Sequence, residues 1–340
     1  MRGSQSGVGT GREGDWRRSR RLRSTARSEG REPLAEEVTQ IVRSRRERAG
    51  TDMTLPGEVH LVGVGPGDPG LLTLRAASLM QHADVVLYDR LVSDEVLDLV
   101  NPEALQLYVG KSKGFHSKTQ EEIQQLLALY ASTGATVVRL KGGDPLVFGR
   151  GGEEMGHLSS EGVKVRCTTG VTSAAGIAAE LCIPLTHRDI AQSVKLLTGH
   201  AKSGEEGLTA FAISPGDIHS TLVIYMGLGT APEVCDRLLN EGFGSTVPAV
   251  VVEQGTTEKQ RRMFTRLQKM PDHLEETDLR SPALLIIGEV VSLSPLWDGS
   301  ALGYVQAGSP SYMREHQSSE LVSWNELKST VTSALDSLGW

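Results

Sequence analysis

The residues best suited to chemistry lie between positions 139 and 154, which read Arg-Leu-Lys-Gly-Gly-Asp-Pro-Leu-Val-Phe-Gly-Arg-Gly-Gly-Glu-Glu. An apolar run with Ala135, Val137, Val138 and Leu140 leads into them and has the character of a buried strand. Gly142 and Gly143 then open the backbone, so the chain can turn sharply and a ligand can approach its amides. Asp144 adds a carboxylate just past the strand, and Pro145 prevents a helix from starting there. Gly149, Gly151 and Gly152 surround Arg150, and Glu153 and Glu154 place acids in the first turn of an expected helix. A ligand-free turn would not need five glycines beside Lys141, Asp144 and Arg150, so this stretch is expected to be a binding turn at the carboxyl edge of an α/β sheet.

Other candidates follow other strands. Residues 83–88 (Ala-Asp-Val-Val-Leu-Tyr) end at Asp89, whose carboxylate is expected to face the crevice; an N-cap or an ion pair with Arg90 competes with that role. Residues 105–109 lead to Gly110-Lys111-Ser112-Lys113-Gly114-Phe115-His116, a basic loop expected beside Asp89. Thr172 and Ser173 stand in a run of small residues that opens a helix, and Met226 and Gly255 sit in turns after two further strands. The turn at residues 63–70, Gly-Val-Gly-Pro-Gly-Asp-Pro-Gly, is not a dinucleotide fingerprint. Its third glycine position is Asp68, and Pro66 and Pro69 stiffen the loop. Asp84 stands where a ribose-binding acid would, a coincidence without the glycine pattern.

These turns need an α/β frame to hold them. Strands are expected near residues 58–64, 83–88, 105–109, 135–140 and 163–167, with Thr119 capping an amphipathic helix that carries Ile123, Leu126, Leu127 and Tyr130. A second half follows, with strands near 195–197, 221–225, 247–253 and 283–291, a helix at 232–239 and a loop at 201–220. The expected organisation is an extension at 1–56, α/β domains at 57–170 and 171–297, and a polar tail at 298–340. A chain of 340 residues can bury two such cores.

Composition narrows the function classes. Hydrophobic residues make up 39%, mean hydropathy is -0.20, and the apolar runs are too short to span a bilayer. Aromatics are only 4%, which argues against a nucleic-acid surface. Cys167, Cys182 and Cys235 are far apart and are expected to be buried thiols in a reducing compartment, with no metal site. The net charge of -7 divides unevenly: residues 1–50 hold 13 Arg, no Lys and 7 acids, a balance of +6, which leaves -13 for the rest. Anionic ligands therefore depend on local basic groups. The basic extension, which has a weak helical pattern only near residues 34–42, admits three readings: a disordered tail, an organelle transit segment, which its acids weigh against, and an RNA-binding arm, which its single aromatic, Trp16, weighs against.

Six ordered motifs together resemble one family: 63–69, Tyr88-Asp89-Arg90-Leu91-Val92-Ser93, Val109-Gly110-Lys111, 139–154, 184–189 and Tyr225-Met226-Gly227. They are similar to the tetrapyrrole methylases, and within them to the uroporphyrinogen-III C-methyltransferases, from about Gly57 to Trp297. The basic extension and residues 293–297 resemble plastid-type members. The resemblance implies two α/β domains with an S-adenosylmethionine site in the cleft between them, a homodimer, and no metal. It also implies two methyl transfers to uroporphyrinogen III, giving precorrin-2 for sirohaem. It assigns cofactor contacts to Pro66, Gly142, Gly143, Asp144, Val147, Thr172, Ser173, Met226 and Gly255, the general base to Asp89 and the proton donor to Lys111. Lys113, Arg150 and Arg188 are the expected clamps for substrate carboxylates, beside Lys111. Thr169-Gly170 departs from the family's usual Pro-Gly. The 50-odd residues before the methylase are too few for the oxidising and iron-inserting domain of bifunctional members. A methylase for a later precorrin, a nicotinamide dehydrogenase and a non-catalytic tetrapyrrole binder are the competing readings.

Overall fold

The computed structural model describes residues 35–49, 57–110, 118–199, 213–299 and 302–308. The first domain is a five-stranded parallel sheet in the order β3-β2-β4-β1-β5. Its strands are β1 (Glu58–Gly63), β2 (Val85–Tyr88), β3 (Leu105–Tyr108), β4 (Thr136–Lys141) and β5 (Lys164–Thr168). Its helices are α1 (Ala35–Ala49), α2 (Leu74–His82), α3 (Asp94–Leu97), α4 (Gln120–Ser132) and α5 (Gly151–Ser160). Both faces are covered, so the central strands read as continuous apolar runs. Leu61, Val85 and Val137 meet Leu127 and Tyr130 on one side, while Val62, Val86 and Val138 meet Ala76 and Met80 on the other. Thr119 caps α4 reciprocally with Glu122, as the sequence predicts.

The second domain is a six-stranded sheet in the order β11-β9-β8-β10-β7-β6. Its strands are β6 (Ser193–Thr198), β7 (Ser220–Tyr225), β8 (Pro248–Glu253), β9 (Arg261–Arg266), β10 (Ala283–Ile287) and β11 (Val305–Ala307), packed with α6 (Ser173–Glu180), α7 (Ala231–Asn240) and α8 (Met270–Glu275). β6 pairs parallel to β7, while β10 runs antiparallel between β7 and β8. The carboxyl ends of β6, β7 and β8 therefore share one edge.

Several expectations need correction. Within the extension, α1 packs on the first domain, with Val38 and Val42 buried beside Tyr130. Arg45 donates to Ala83 O and Asp84 Oδ1 at 2.7 Å each, and Arg46 reaches Gly134 O. Asp84 thus fastens structure: its second oxygen accepts the Thr136 amide at 2.9 Å. The strand expected at 283–291 ends at Ile287 and passes into a 3-10 segment, Glu289–Leu293. The polar tail supplies β11, which pairs with β9. Pro215–His219 is a 3-10 turn within the expected loop, and Ser220 already belongs to β7. Of the three cysteines expected to be buried, Cys235 is buried, Cys167 is half-buried and Cys182 is exposed.

Candidate active site

The parallel sheet brings its turns to one edge, and the short helix α6 gathers them. The turn after β4 locks against the turn after β1: Gly65 and Gly143 exchange backbone bonds of 3.2 and 2.6 Å. The chain following β5 presses on both. A Cβ on Gly170 would lie 2.2 Å from Gly143 O and 2.7 Å from the Gly63 carbonyl carbon, so only glycine fits. Gly143 itself has φ +68° and faces the first residues of α6, with Ser173 N 3.8 Å from where its Cβ would be. Pro66 rests on the same helix at Gly176.

The second sheet meets α6 from the other side. The Ala174 amide donates to the Tyr225 hydroxyl at 3.0 Å, and burial pushes that phenol above its ordinary pKa. Phe148, from the turn after β4, tilts against the Tyr225 ring with centroids 4.9 Å apart. Met226 follows with a left-handed backbone and its side chain half in solvent. Gly255 lies against Ile177 of α6 so closely that a Cβ there would stand 2.4 Å from two of its carbons. Its turn is held by Gln260, which accepts the Thr256 amide at 2.7 Å and donates to Glu180 at 3.0 Å. Pro66, Gly143, Thr172, Ser173 and Gly255, with the residue before Met226, are therefore all in or against one eight-residue helix. Val147, half-buried beside Phe148, donates its amide to Asp144 O at 3.3 Å.

Asp144 is more occupied than a free ligand-binding carboxylate. Its Oδ1 accepts the Leu146 amide at 2.8 Å; its Oδ2 accepts the Thr169 hydroxyl at 2.5 Å and the Gly170 amide at 3.2 Å. The hydroxyl of Thr169 thus clamps the turn. Arg150, expected as a substrate clamp, is engaged by Glu153 in bonds of 2.6 to 3.2 Å, which raise its pKa. Arg188 is exposed in a turn closed by the His187 and Ala191 backbones. Lys111, Lys113 and His116 lie outside the described residues.

Asp89 lies at the carboxyl end of β2 and lines a cavity of about 460 Å³. Pro66, Tyr88 and Tyr108 form its first-domain wall; Gln254 and Pro282 come from the second domain. The partner of Asp89 is Arg139, not Arg90: Arg139 Nη2 donates to Oδ2 at 2.8 Å, and the Leu91 amide donates to Oδ1 at 3.0 Å. Sequence reasoning counted Lys141 with the expected binding turn and Glu154 as a first-turn helix acid, and gave Arg139 no role, yet all three are buried. The signal was present, because cationic side chains in the middle strand of a sheet covered on both faces must find buried partners. Lys141 donates to both Glu154 oxygens at 3.1 Å, and burial, aided by Arg139, lowers its pKa. Among the described residues there is no cluster of His, Cys, Asp or Glu arranged to hold a metal ion.

A parallel α/β sheet with glycine turns on a shared helix, and a carboxylate facing an interdomain cavity, defines a two-domain α/β enzyme-like site. The sequence profile of the Tetrapyrrole (Corrin/Porphyrin) Methylases matches residues 58–271, and the chain belongs to that family. It is 57% identical over 242 residues to the chloroplastic S-adenosyl-L-methionine-dependent uroporphyrinogen III methyltransferase of Arabidopsis thaliana, covering 71% of this chain and 66% of that protein. It is 46% identical over 268 residues to a siroheme synthase of Azotobacter vinelandii (strain DJ / ATCC BAA-1303), covering 77% of this chain and 57% of that protein. The chain thus spans just under two thirds of the first relative and little more than half of the second. Among solved structures, it resembles a uroporphyrin-III C-methyl transferase from Thermus thermophilus complexed with S-adenyl homocysteine. That match has 44% identity and a TM-score of 0.60, covering 70% of this chain and 100% of the other. A cobalt precorrin-4 methyltransferase matches with the same TM-score at 29% identity, covering 69% and 95%.

Proposed function

We propose that this protein C-methylates uroporphyrinogen III with S-adenosylmethionine, in two transfers that give precorrin-2 for sirohaem. The observation that carries the reading is the gathering of Gly143, Ser173 and Gly255 around α6, beside the cavity that holds Asp89. The relatives named for uroporphyrinogen III and uroporphyrin-III methylation are 57% and 44% identical, against 29% for the precorrin-4 enzyme, which favours the earlier substrate.

The residues suit such a donor. Tight backbone turns at 142–144 and 254–257, with the half-exposed Met226 and Phe148, offer amides and apolar surface at one place. When bound, S-adenosylmethionine supplies an electrophilic methyl on a sulfonium centre. The chain's task is then to align a pyrrole carbon with that methyl and exclude water. Gly142, Gly143, Asp144, Val147, Thr172, Ser173, Met226, Pro66 and Gly255 are assigned to holding the donor. Asp89 accepts the proton that leaves the substrate after methylation, which removes the charge left on the ring. Lys111 is assigned the proton-donor role, and Lys113, Arg150 and Arg188 the recognition of acetate and propionate groups. For Arg150 this requires sharing its guanidinium with Glu153.

We further infer a homodimer and a plastid location, the latter supported by the chloroplastic relative. No described helix is long and apolar enough to cross a membrane. The test is anaerobic turnover of uroporphyrinogen III with S-adenosylmethionine, read by product mass. Gain of two methyl groups supports the proposal, and no gain, or methylation only of a later precorrin, overturns it.

A further inference from the structure

Arg139 is a buried cation that points at the cavity carboxylate. It is 4% exposed, on the central strand β4, and Nη2 grips Asp89 Oδ2 while Nη1 donates to Leu140 O at 2.9 Å. Its Nε has no hydrogen-bond partner and lies 3.7 Å from Glu154 Oε1. Glu154 is fully buried; Lys141 and Gln120 donate to it, Gln120 at 2.9 Å. The cluster is thus balanced, with Asp89 and Glu154 against Arg139 and Lys141. A buried guanidinium is costly to keep, and packing alone would be served as well by an apolar side chain. Of the four groups, only Asp89 reaches the cavity, at 24% side-chain exposure.

Resting on the functional reading above, we propose that Arg139 is the positioning residue for the proton acceptor, with Glu154 as its buried counterion. Together with the Leu91 amide, Arg139 holds one bond to each oxygen of Asp89 and so fixes the plane of the carboxylate. Each oxygen keeps a further lone pair for the substrate. In the step itself, the methylated carbon becomes quaternary and carries no hydrogen; a ring nitrogen–hydrogen bond, or a carbon–hydrogen bond of the adjoining bridging methylene, breaks, its electrons return to the ring, and the proton goes to an Asp89 oxygen. Water takes that proton afterwards. Arg139 exchanges no proton; it keeps the acceptor in line.

Removal of Arg139 leaves Lys141 and Glu154 as a matched pair, so Arg139→Met should retain the fold. In the full chain, its kcat should fall about 10²-fold, the cost of roughly an ångström of misplacement. The KM for uroporphyrinogen III and the Kd for S-adenosylhomocysteine should each change less than about threefold. Arg139→Lys keeps the charge but not the fork, and should recover about tenfold of the loss. In an Asp89→Asn background, Arg139→Met should cost less than about twofold more, because it acts through the group already removed. Equal losses in both backgrounds, or a fall in kcat matched by lost ligand affinity and melting temperature, overturn the inference. If Arg139→Met does not fold, Arg139→Lys with Asp89→Asn closes the same cycle, and equal losses there overturn the inference just as well. Absence of turnover by the unmodified protein is a different result: it overturns the functional reading and this inference with it.

Discussion

The two sheets reach the site by different routes. In the first, every strand is parallel, so all five carboxyl ends face one way and Asp89, the 142–144 turn and Gly170 meet there by topology alone. In the second, β9 and β10 run against β8; the ends of β7 and β8 carry Met226 and the 254–257 turn to the site, and Pro282, just before β10, lines the cavity. The parallel edge is built from backbone against backbone, at Gly63, Gly143 and Gly170, and carries the buried charge cluster. The mixed sheet meets α6 through side chains, with Tyr225 on Ala174 and Ile177 filling the space over Gly255. Under the proposed function, chemistry is expected to depend on the first sheet and binding to draw on both.

Substitutions can break that division. The largest effect is expected from Asp89→Asn, which keeps shape but cannot accept a proton. Turnover should fall about 10²–10⁴-fold with little change in S-adenosylhomocysteine affinity by calorimetry. A large loss of affinity instead would make Asp89 a binding group and remove the division. Next come two matched glycine changes. Gly170→Ala meets carbonyl groups that cannot move and should cost about 3 kcal/mol in denaturant unfolding; Gly255→Ala meets only side chains, Ile177 and Val252, and should cost about 1 kcal/mol. Equal costs would show the two edges to be equally rigid. Beginning the chain at Thr54 removes α1 and its two buried valines, worth about 3 kcal/mol by burial and less after the entropy of ordering the helix. The melting temperature should drop by about 5 °C with turnover at low temperature preserved. An unchanged melting temperature would show that α1 adds nothing to the first domain. The smallest effect is expected at Asp144→Ala, which frees Thr169 and Gly170 from the binding turn. Cofactor affinity should weaken about tenfold, the loss of one charge-assisted bond. Unweakened binding would assign Asp144 to holding the turn alone.

The same contrast decides what could be read from the sequence. In the first domain each apolar run is followed by a turn and a helix, so the strand-end places of the candidate residues Asp89, Gly142, Gly143 and Asp144 were legible from position. The second domain was less legible. β9 reads Arg-Arg-Met-Phe-Thr-Arg, mostly charged and without a period-2 pattern, and β11 is three residues inside a polar tail, so neither gave a strand signal. α1 showed only as a weak helical pattern near 34–42, and its docking was hidden: only Val38 and Val42 are buried on it, and Arg45 and Arg46 dock through backbone carbonyls that no pattern reveals. The Arg139, Lys141 and Glu154 cluster was in view as residues but not as a network. Its members are brought together by the return of α5 onto β4, a tertiary fact.

A crystal structure of the full chain with S-adenosylhomocysteine tests the central claim most directly, that one ligand is held between the edges of the two sheets. The account predicts density against the 142–144 turn and the first residues of α6, closed on the other side by Met226 and Gly255. Density confined to a single sheet, with either Gly143 or Gly255 more than one ligand's width away, would contradict it.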